Sequence, residues 1–140
     1  FVYSIVGDSA NTASRVEGLN KHVGTQILAT GEVVEGFENL VTRYLGAFQF
    51  VGKTDATPIY EVMAMREKAT DQQLALRDAF KDAMTYYEQG DWQSAAEELE
   101  NVLVEFPDDG PAEFLLARCR RFISDPENAP EPGVIRMDAK

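Results

Sequence analysis

The sequence predicts an α+β fold, with a mixed α/β region at residues 1–65, a helical extension at residues 66–124 and an extended tail at residues 125–140. Three observations support this division. Aromatic and β-branched runs broken by glycines dominate the first region. Apolar residues recur at helical spacing from residue 69 onward. Prolines are concentrated after Ser124.

The mixed region begins with a predicted strand over residues 1–6, where the chain is aromatic and β-branched. Gly7 ends this strand, and Asp8 or Ser9 is placed to cap the helix that follows. Gly24 ends that helix. A short strand, a helical turn and two hairpin strands are expected after it, at residues 26–29, 32–36, 42–51 and 58–63.

The helical extension is predicted to contain three helices, because apolar side chains repeat on one face of each. Gly90 ends the first helix, Pro107 ends the second, and Gly110 with Pro111 opens the third. The residues that mark the three faces are Leu76, Phe80, Ala83, Met84 and Tyr87, then Trp92, Ala95, Ala96, Leu99, Leu103 and Phe106, then Leu115, Cys119 and Phe122.

Residues 79–117 resemble a tetratricopeptide unit, which pairs two antiparallel helices and has small residues where they cross. One repeat cannot bury its own apolar face, so the unit is expected to pack on the neighbouring domain or on a second chain. Three roles stay open for it: a generic helical hairpin, a groove that binds a protein partner, and a dimer-supporting or regulatory element.

Composition excludes several classes of function. The chain has 24 acidic and 13 basic residues and a net charge of −11, which disfavours nucleic acid and anionic membrane surfaces as partners. A single cysteine, Cys119, excludes an intrachain disulfide and fits a reducing compartment. With a single histidine, His22, one chain cannot build a common Cys/His zinc site or a Ser-His-Asp triad without that residue. We expect a cytoplasmic segment from the C-terminal part of a longer protein, with any membrane anchor upstream of Phe1.

Residues 4–15, SIVGDSANTASR, carry the most distinctive pattern. Asn11 and Arg15 are four residues apart and therefore share one helix face. Both lie near the predicted helix N-terminus, where the helix dipole favours anions, and the planar guanidinium suits phosphate. The alternative is a solvated Arg15 paired with Glu17 or Asp8.

Residues 3–15, YSIVGDSANTASR, resemble the signature of class III adenylate and guanylate cyclases. The signature runs from an aromatic and a base-selecting residue through Gly-Asp to an asparagine and, four residues later, an arginine. The segments VEGLNKHVGTQILAT and FQFVGKTDATPIYEV extend the resemblance over residues 1–65, and FPDDGPA and GVIRM resemble tails of bacterial members. The resemblance implies the C-terminal half of a cyclase catalytic domain, with part of a ferredoxin-like sheet.

By this resemblance, Arg15 braces the α-phosphate of ATP during attack by the ribose 3′-hydroxyl, and Asn11 holds the ribose in line. The implied products are a cyclic 3′,5′-monophosphate and pyrophosphate. Ser4 occupies the base-selecting position and implies adenine, because its hydroxyl can hydrogen-bond the exocyclic amine. Ile5 joins Ser4 in the implied substrate-binding set.

Lys53 is the third implied substrate-binding residue. It matches the second lysine of the family's Val-Lys-Gly-Lys turn, whereas Val51 stands at the first. A structural or dimer-contact role for Lys53 therefore stays open beside phosphate binding.

The family uses two magnesium or manganese ions, held by two aspartates that precede the signature. No residue here matches them, so no metal ligand is expected in this chain. The resemblance also implies a head-to-tail homodimer in which one partner supplies the metal ligands and the other supplies Asn11 and Arg15. The chain alone is expected to be inactive. A catalytically degenerate dimerisation or protein-interaction module, or a guanylate cyclase, remains the alternative.

Overall fold

The computed structural model describes residues 4–6, 27–50, 52, 54–130 and 133–137, with residues 4–6 and 27 described by their backbone. Five strands lie in these ranges: β1 (Ser4–Val6), β2 (Ile27–Thr30), β3 (Leu40–Gln49), β4 (Thr57–Met65) and β5 (Val134–Arg136). The α-helices of the same ranges are α1 (Gly31–Glu35), α2 (Asp71–Glu88), α3 (Trp92–Glu105) and α4 (Gly110–Ser124).

The secondary structure predicted from periodicity is confirmed for residues 27–124, with shifts of one or two residues at most ends. The strand predicted at residues 1–6 is seen at Ser4–Val6. The helix predicted after Gly7 lies outside the described residues. The tetratricopeptide resemblance and the ferredoxin-like cyclase sheet stay predictions.

The starts of the three long helices follow from their capping residues. Thr70 forms a capping box with Gln73 at the start of α2. Asp91 accepts a hydrogen bond from the backbone N–H of Ser94 at the start of α3, and Asp109 accepts one from Ala112 at the start of α4. Each side chain satisfies a backbone donor that the first helical turn leaves without a partner.

All five strands form one mixed sheet in the order β1-β2-β4-β3-β5. β1 is parallel to β2, and β4 lies antiparallel between β2 and β3. Within the described residues β1 is therefore an edge strand, and β2 and β4 separate it from β3. β3 and β4 form the predicted hairpin, with two register irregularities along their ladder, between Val41 and Thr42 and between Tyr44 and Gly46 of β3.

The C-terminal tail contributes to the sheet, which the sequence analysis did not foresee. After a 3-10 turn at Pro126–Asn128, β5 pairs in parallel with the end of β3, and the Met137 N–H donates to the Gln49 carbonyl. Ile135 is fully buried there. The segment at residues 125–137 is thus attached to the mixed region.

One apolar core joins the sheet to the helical extension. The sheet contributes Leu28, Phe48 and Ile59, and the helices contribute residues of the faces predicted from periodicity. The buried members from the helices are Phe80, Ala83, Met84, Tyr87, Ala95, Ala96, Leu99, Val102, Ala112, Leu115, Leu116 and Cys119. The helical unit therefore buries its apolar face against the neighbouring sheet.

Gly46 lies at the second irregularity of β3 and has a φ of +122°, a conformation that side-chain-bearing residues rarely adopt. A Cβ at this position would lie 2.8 Å from Cδ1 of Ile135 in β5. The glycine thus permits both the irregularity and the close approach of β5.

We expect Gly46→Ala to lower the free energy of unfolding by about 1–3 kcal/mol, because the backbone must hold a strained φ and Ile135 must move. Urea unfolding measures the change. Gly36→Ala is the matched control, because Gly36 has a φ of −78° and an added Cβ would only touch the Val33 carbonyl at 3.4 Å. Equal losses in the two variants would contradict this account of Gly46.

Candidate functional site

The structure places two of the five predicted site residues. Ser4 and Ile5 lie next to each other in edge strand β1, opposite Ile27 and Leu28 of β2. Asn11, Arg15 and Lys53 lie outside the described residues. Of the predicted cyclase-like site, the structure therefore describes only the strand that leads into the signature, and the roles of all five residues stay predictions.

A buried ion cluster lies in the same sheet as this strand. Arg43 of β3 is 3% exposed, and its guanidinium contacts two carboxylates from different parts of the chain. Nε and Nη2 donate to Oε1 of Glu61 in β4 at 3.2 and 2.6 Å. Nη1 and Nη2 donate to Oδ2 and Oδ1 of Asp109 at 2.9 and 3.0 Å. We call these three residues the Arg43 triad.

The Arg43 triad connects the sheet with two helices. Asp109 is the N-cap of α4, and the same Oδ2 that accepts from Arg43 also accepts from the backbone N–H of Ala112 at 3.0 Å. The Phe80 ring of α2 lies under the guanidinium, with 4.8 Å between its centroid and Cζ of Arg43. Such a cation–π contact strengthens when it is desolvated.

The Arg43 triad holds one positive charge against two carboxylates, and the pKa values reflect this imbalance. Burial alone would lower the pKa of Arg43, but the charges of Glu61 and Asp109 outweigh it and raise the pKa. Burial raises the pKa of Glu61 above its ordinary 4.5 by more than Arg43 lowers it, and the Asp109 charge adds to the rise. A single guanidinium shared by two anions thus compensates Glu61 only in part.

Sequence reasoning missed the Arg43 triad. A signal was present in the sequence. Side chains of a strand point alternately to its two faces, so Arg43 shares the buried face of β3 with Val41 and Leu45. A charged residue at an inward position of a strand requires a buried partner. The sequence does not reveal which carboxylate that partner is, because Asp109 is 66 residues away.

A cleft of about 500 Å³ opens beside the triad, between β3, β4 and α2. Tyr44 and Tyr60 line it, with ring centroids 5.1 Å apart. Burial, followed by the charge of Glu88, raises the pKa of Tyr44 to about 12, so its phenol cannot act as a base near neutral pH. Arg77 at the rim is bound to Asp78 at 3.1 Å, which reduces its capacity to bind an anion.

The described residues include no cluster that fits a two-metal site. No group of three or more His, Cys, Asp or Glu side chains within the described ranges is arranged to hold a metal ion. The two carboxylates that converge below the surface, Glu61 and Asp109, are both occupied by Arg43.

Within the described ranges, no helix has the length and apolar character needed to cross a membrane.

Curated proteins similar to this chain are named as adenylate cyclases. The chain is 44% identical over 64 residues to Adenylate cyclase 1 of Rhizobium meliloti (strain 1021), covering 45% of this chain and 10% of that protein. It is 40% identical over 65 residues to an adenylate cyclase of Anabaena cylindrica, covering 44% and 13%. No protein-family model and no solved structure matches the chain.

A longer and weaker similarity reaches beyond the mixed region. The chain is 27% identical over 119 residues, or 81% of its length, to the terminal-differentiation specific adenylate cyclase of Dictyostelium discoideum, of which it covers 6%. The chain thus spans about a tenth of the length of the curated relatives it matches. Similarity to adenylate cyclases over about half the chain supports an adenylate cyclase family.

The raised pKa of Glu61 predicts a pH-dependent stability. An acid whose pKa is higher in the folded state binds its proton more tightly there, so its contribution to the free energy of unfolding falls as the pH rises from about 4.5 through the folded-state pKa. Gln does not titrate. The free energy of unfolding of the unmodified chain, relative to Glu61→Gln, should therefore decrease with rising pH.

Urea unfolding of both proteins, at several values between about pH 4 and about pH 7, measures this difference. The slope of the free energy with urea concentration serves as the control, because it should be the same in both proteins if the folded state is unchanged. A difference that stays constant, or that grows with pH, would contradict the assignment.

Proposed function

We propose that this chain is the C-terminal half of an adenylate cyclase catalytic domain and that the complete protein converts ATP to 3′,5′-cyclic AMP and pyrophosphate for intracellular signalling. The observation that carries the proposal is the 44% identity over 64 residues to a protein named adenylate cyclase. The signature from Ser4 to Arg15 favours the same function.

Arg15 and Asn11 are the proposed catalytic residues. Attack by the ribose 3′-hydroxyl on the α-phosphorus forms a new P–O bond and releases pyrophosphate, so negative charge grows on the phosphate oxygens. A guanidinium stabilises that charge through its planar donors, and an amide can hold the ribose in line. Reactions of this kind depend on positioning and charge stabilisation, which these two residue types supply.

The proposed substrate-binding residues are Ser4, Ile5 and Lys53. The Ser4 hydroxyl would accept a hydrogen bond from the exocyclic amine of adenine, and Ile5 follows Ser4 in edge strand β1. Lys53 would approach the triphosphate or the partner subunit. Two magnesium or manganese ions, when bound, would supply further charge neutralisation, and their ligands are proposed to belong to the other half of the catalytic domain.

The site is proposed to be shared by two subunits that pair head to tail. The family resemblance assigns the metal ligands to the segment that precedes the signature, whereas the signature itself supplies Asn11 and Arg15. A site divided in this way is complete only in the dimer. A protein partner for the helical extension is a separate proposal from catalysis.

One observation favours a second candidate function. Val51 stands where the family carries the first lysine of its turn, and a site without that cation binds terminal phosphates less strongly. The alternative is a catalytically degenerate cyclase-like module that dimerises or binds a protein. A guanylate cyclase is the corresponding alternative for the choice of base.

We expect Arg15→Ala to lower the kcat of the complete enzyme by about 10²–10³-fold, because one preorganised charged donor is lost. Formation of cyclic AMP from ATP with manganese measures the effect, and the same assay with GTP determines the choice of base. Arg120→Ala is the control, since Arg120 is an arginine with 64% of its side chain exposed. Near-normal turnover by Arg15→Ala would refute the catalytic role.

We expect the 140-residue chain alone to form no cyclic nucleotide from ATP, with either magnesium or manganese. Addition of the other half of the catalytic domain should restore activity, because the metal ligands and the Asn-Arg pair would then face each other. Metal-dependent turnover by the isolated chain would show that the site is not divided. Failure of the reconstituted protein with both ATP and GTP would favour the degenerate module.

A further inference from the structure

A single row of residues links the helical extension to edge strand β1. Asp109 at the start of α4 binds Arg43, and Arg43 stands opposite Glu61 in the ladder between β3 and β4. Glu61 stands opposite Leu28 of β2, and Leu28 stands opposite Ile5 of β1. The row therefore runs from a helix N-terminus across four adjacent strands.

The first two steps of this row are ion pairs, and the last two are backbone pairings between neighbouring strands. Neighbouring strands lie about 4.8 Å apart, so β1 is about 14 Å from Arg43. Leu28 is fully buried and belongs to the core shared with the helices. The guanidinium contacts both carboxylates, which fixes the position of α4 relative to β3 and β4.

We propose that Asp109 and Arg43 are positioning residues through which the helical extension holds the sheet, and with it edge strand β1, in a fixed arrangement. Strand β1 carries Ser4 and Ile5 and leads into the signature. The catalytic consequence of this inference rests on the proposed function. Its structural consequence, that a change at the start of α4 reaches β1, does not.

Because the Arg43 triad has two carboxylates and one cation, one carboxylate can be neutralised without leaving a buried charge unpaired. Removal of Arg43 would leave two buried carboxylates without a cation, and loss of one partner of a buried ion pair is strongly destabilising. Asp109→Asn leaves a neutral Arg43–Glu61 pair. Asparagine is as good an N-cap as aspartate, so α4 keeps its start while the bidentate contact to Arg43 is lost.

An exposed ion pair in the same helical unit provides a matched control. Arg120 of α4 lies 3.6 Å from Glu100 of α3, and their side chains are 64% and 54% exposed. Glu100→Gln makes the same change from carboxylate to amide without a link to the sheet. Pairs of this kind contribute little to stability.

Hydrogen exchange measured by mass spectrometry on the full chain tests the structural consequence. We expect Asp109→Asn to speed exchange at residues 4–6 and 27–30 by about tenfold, because opening of the sheet becomes easier, and Glu100→Gln to leave it unchanged. Acceleration confined to residues around the start of α4, or equal effects of both variants, would overturn the proposal.

If Asp109→Asn loses protection throughout the chain, Arg43→Lys is the second variant, because lysine keeps the charge but not the planar fork. Local acceleration in β1 and β2 would then support the proposal. Global loss of protection in both variants would overturn it, because the triad would serve the stability of the whole fold and no particular strand.

The catalytic consequence has its own readout in the complete enzyme. We expect Asp109→Asn to lower kcat about tenfold and to reduce the preference for ATP over GTP, since a displaced β1 moves the base-selecting position. Asp109→Glu, which keeps the carboxylate, should restore part of the loss, and Glu100→Gln should behave like the unmodified enzyme. An unmodified enzyme without cyclase activity would refute the proposed function but leave the exchange result intact.

Discussion

The fold depends on how the chain accommodates one buried positive charge. Arg43 sits inside the sheet at 3% exposure, where an unpaired guanidinium would be prohibitively costly. Two carboxylates compensate its charge: Glu61 of the neighbouring strand β4 and Asp109, the N-cap of helix α4. The sheet and the helices therefore both contribute a counter-ion to the same guanidinium. The helical extension and the mixed region are for this reason interdependent, although the composition of the sequence separates them.

Local patterns allowed much of the secondary structure to be predicted. The helix faces marked by Phe80, Leu99 and Leu115 are buried, as the 3.6-residue period predicts. This period can be read within a short stretch of sequence, because buried residues recur every three or four positions along a helix. The pairing of Arg43 with Asp109 and the place of β5 could not be predicted in this way. Both join residues far apart in the sequence, and β5 has only three residues, too few to show a period.

For the candidate site, the sequence contributes more than the structure does. Asn11, Arg15 and Lys53 follow from a motif, and their roles remain predictions drawn from resemblance. The structure contributes the setting of Ser4 and Ile5 at the edge of a five-stranded sheet. Within the described residues β1 pairs with β2 alone. Its position therefore depends on β2 and on β4, the strand that pairs with the other side of β2.

The pairing of β5 with β3 has a consequence for the order in which the protein forms during translation. Val134 leaves the ribosome nearly ninety residues after its partner Ala47. Until then, the end of β3 offers free backbone groups, a template on which foreign strands can add. β5 covers these groups once it has paired, which lowers the tendency of this part of the sheet to add a strand from another chain.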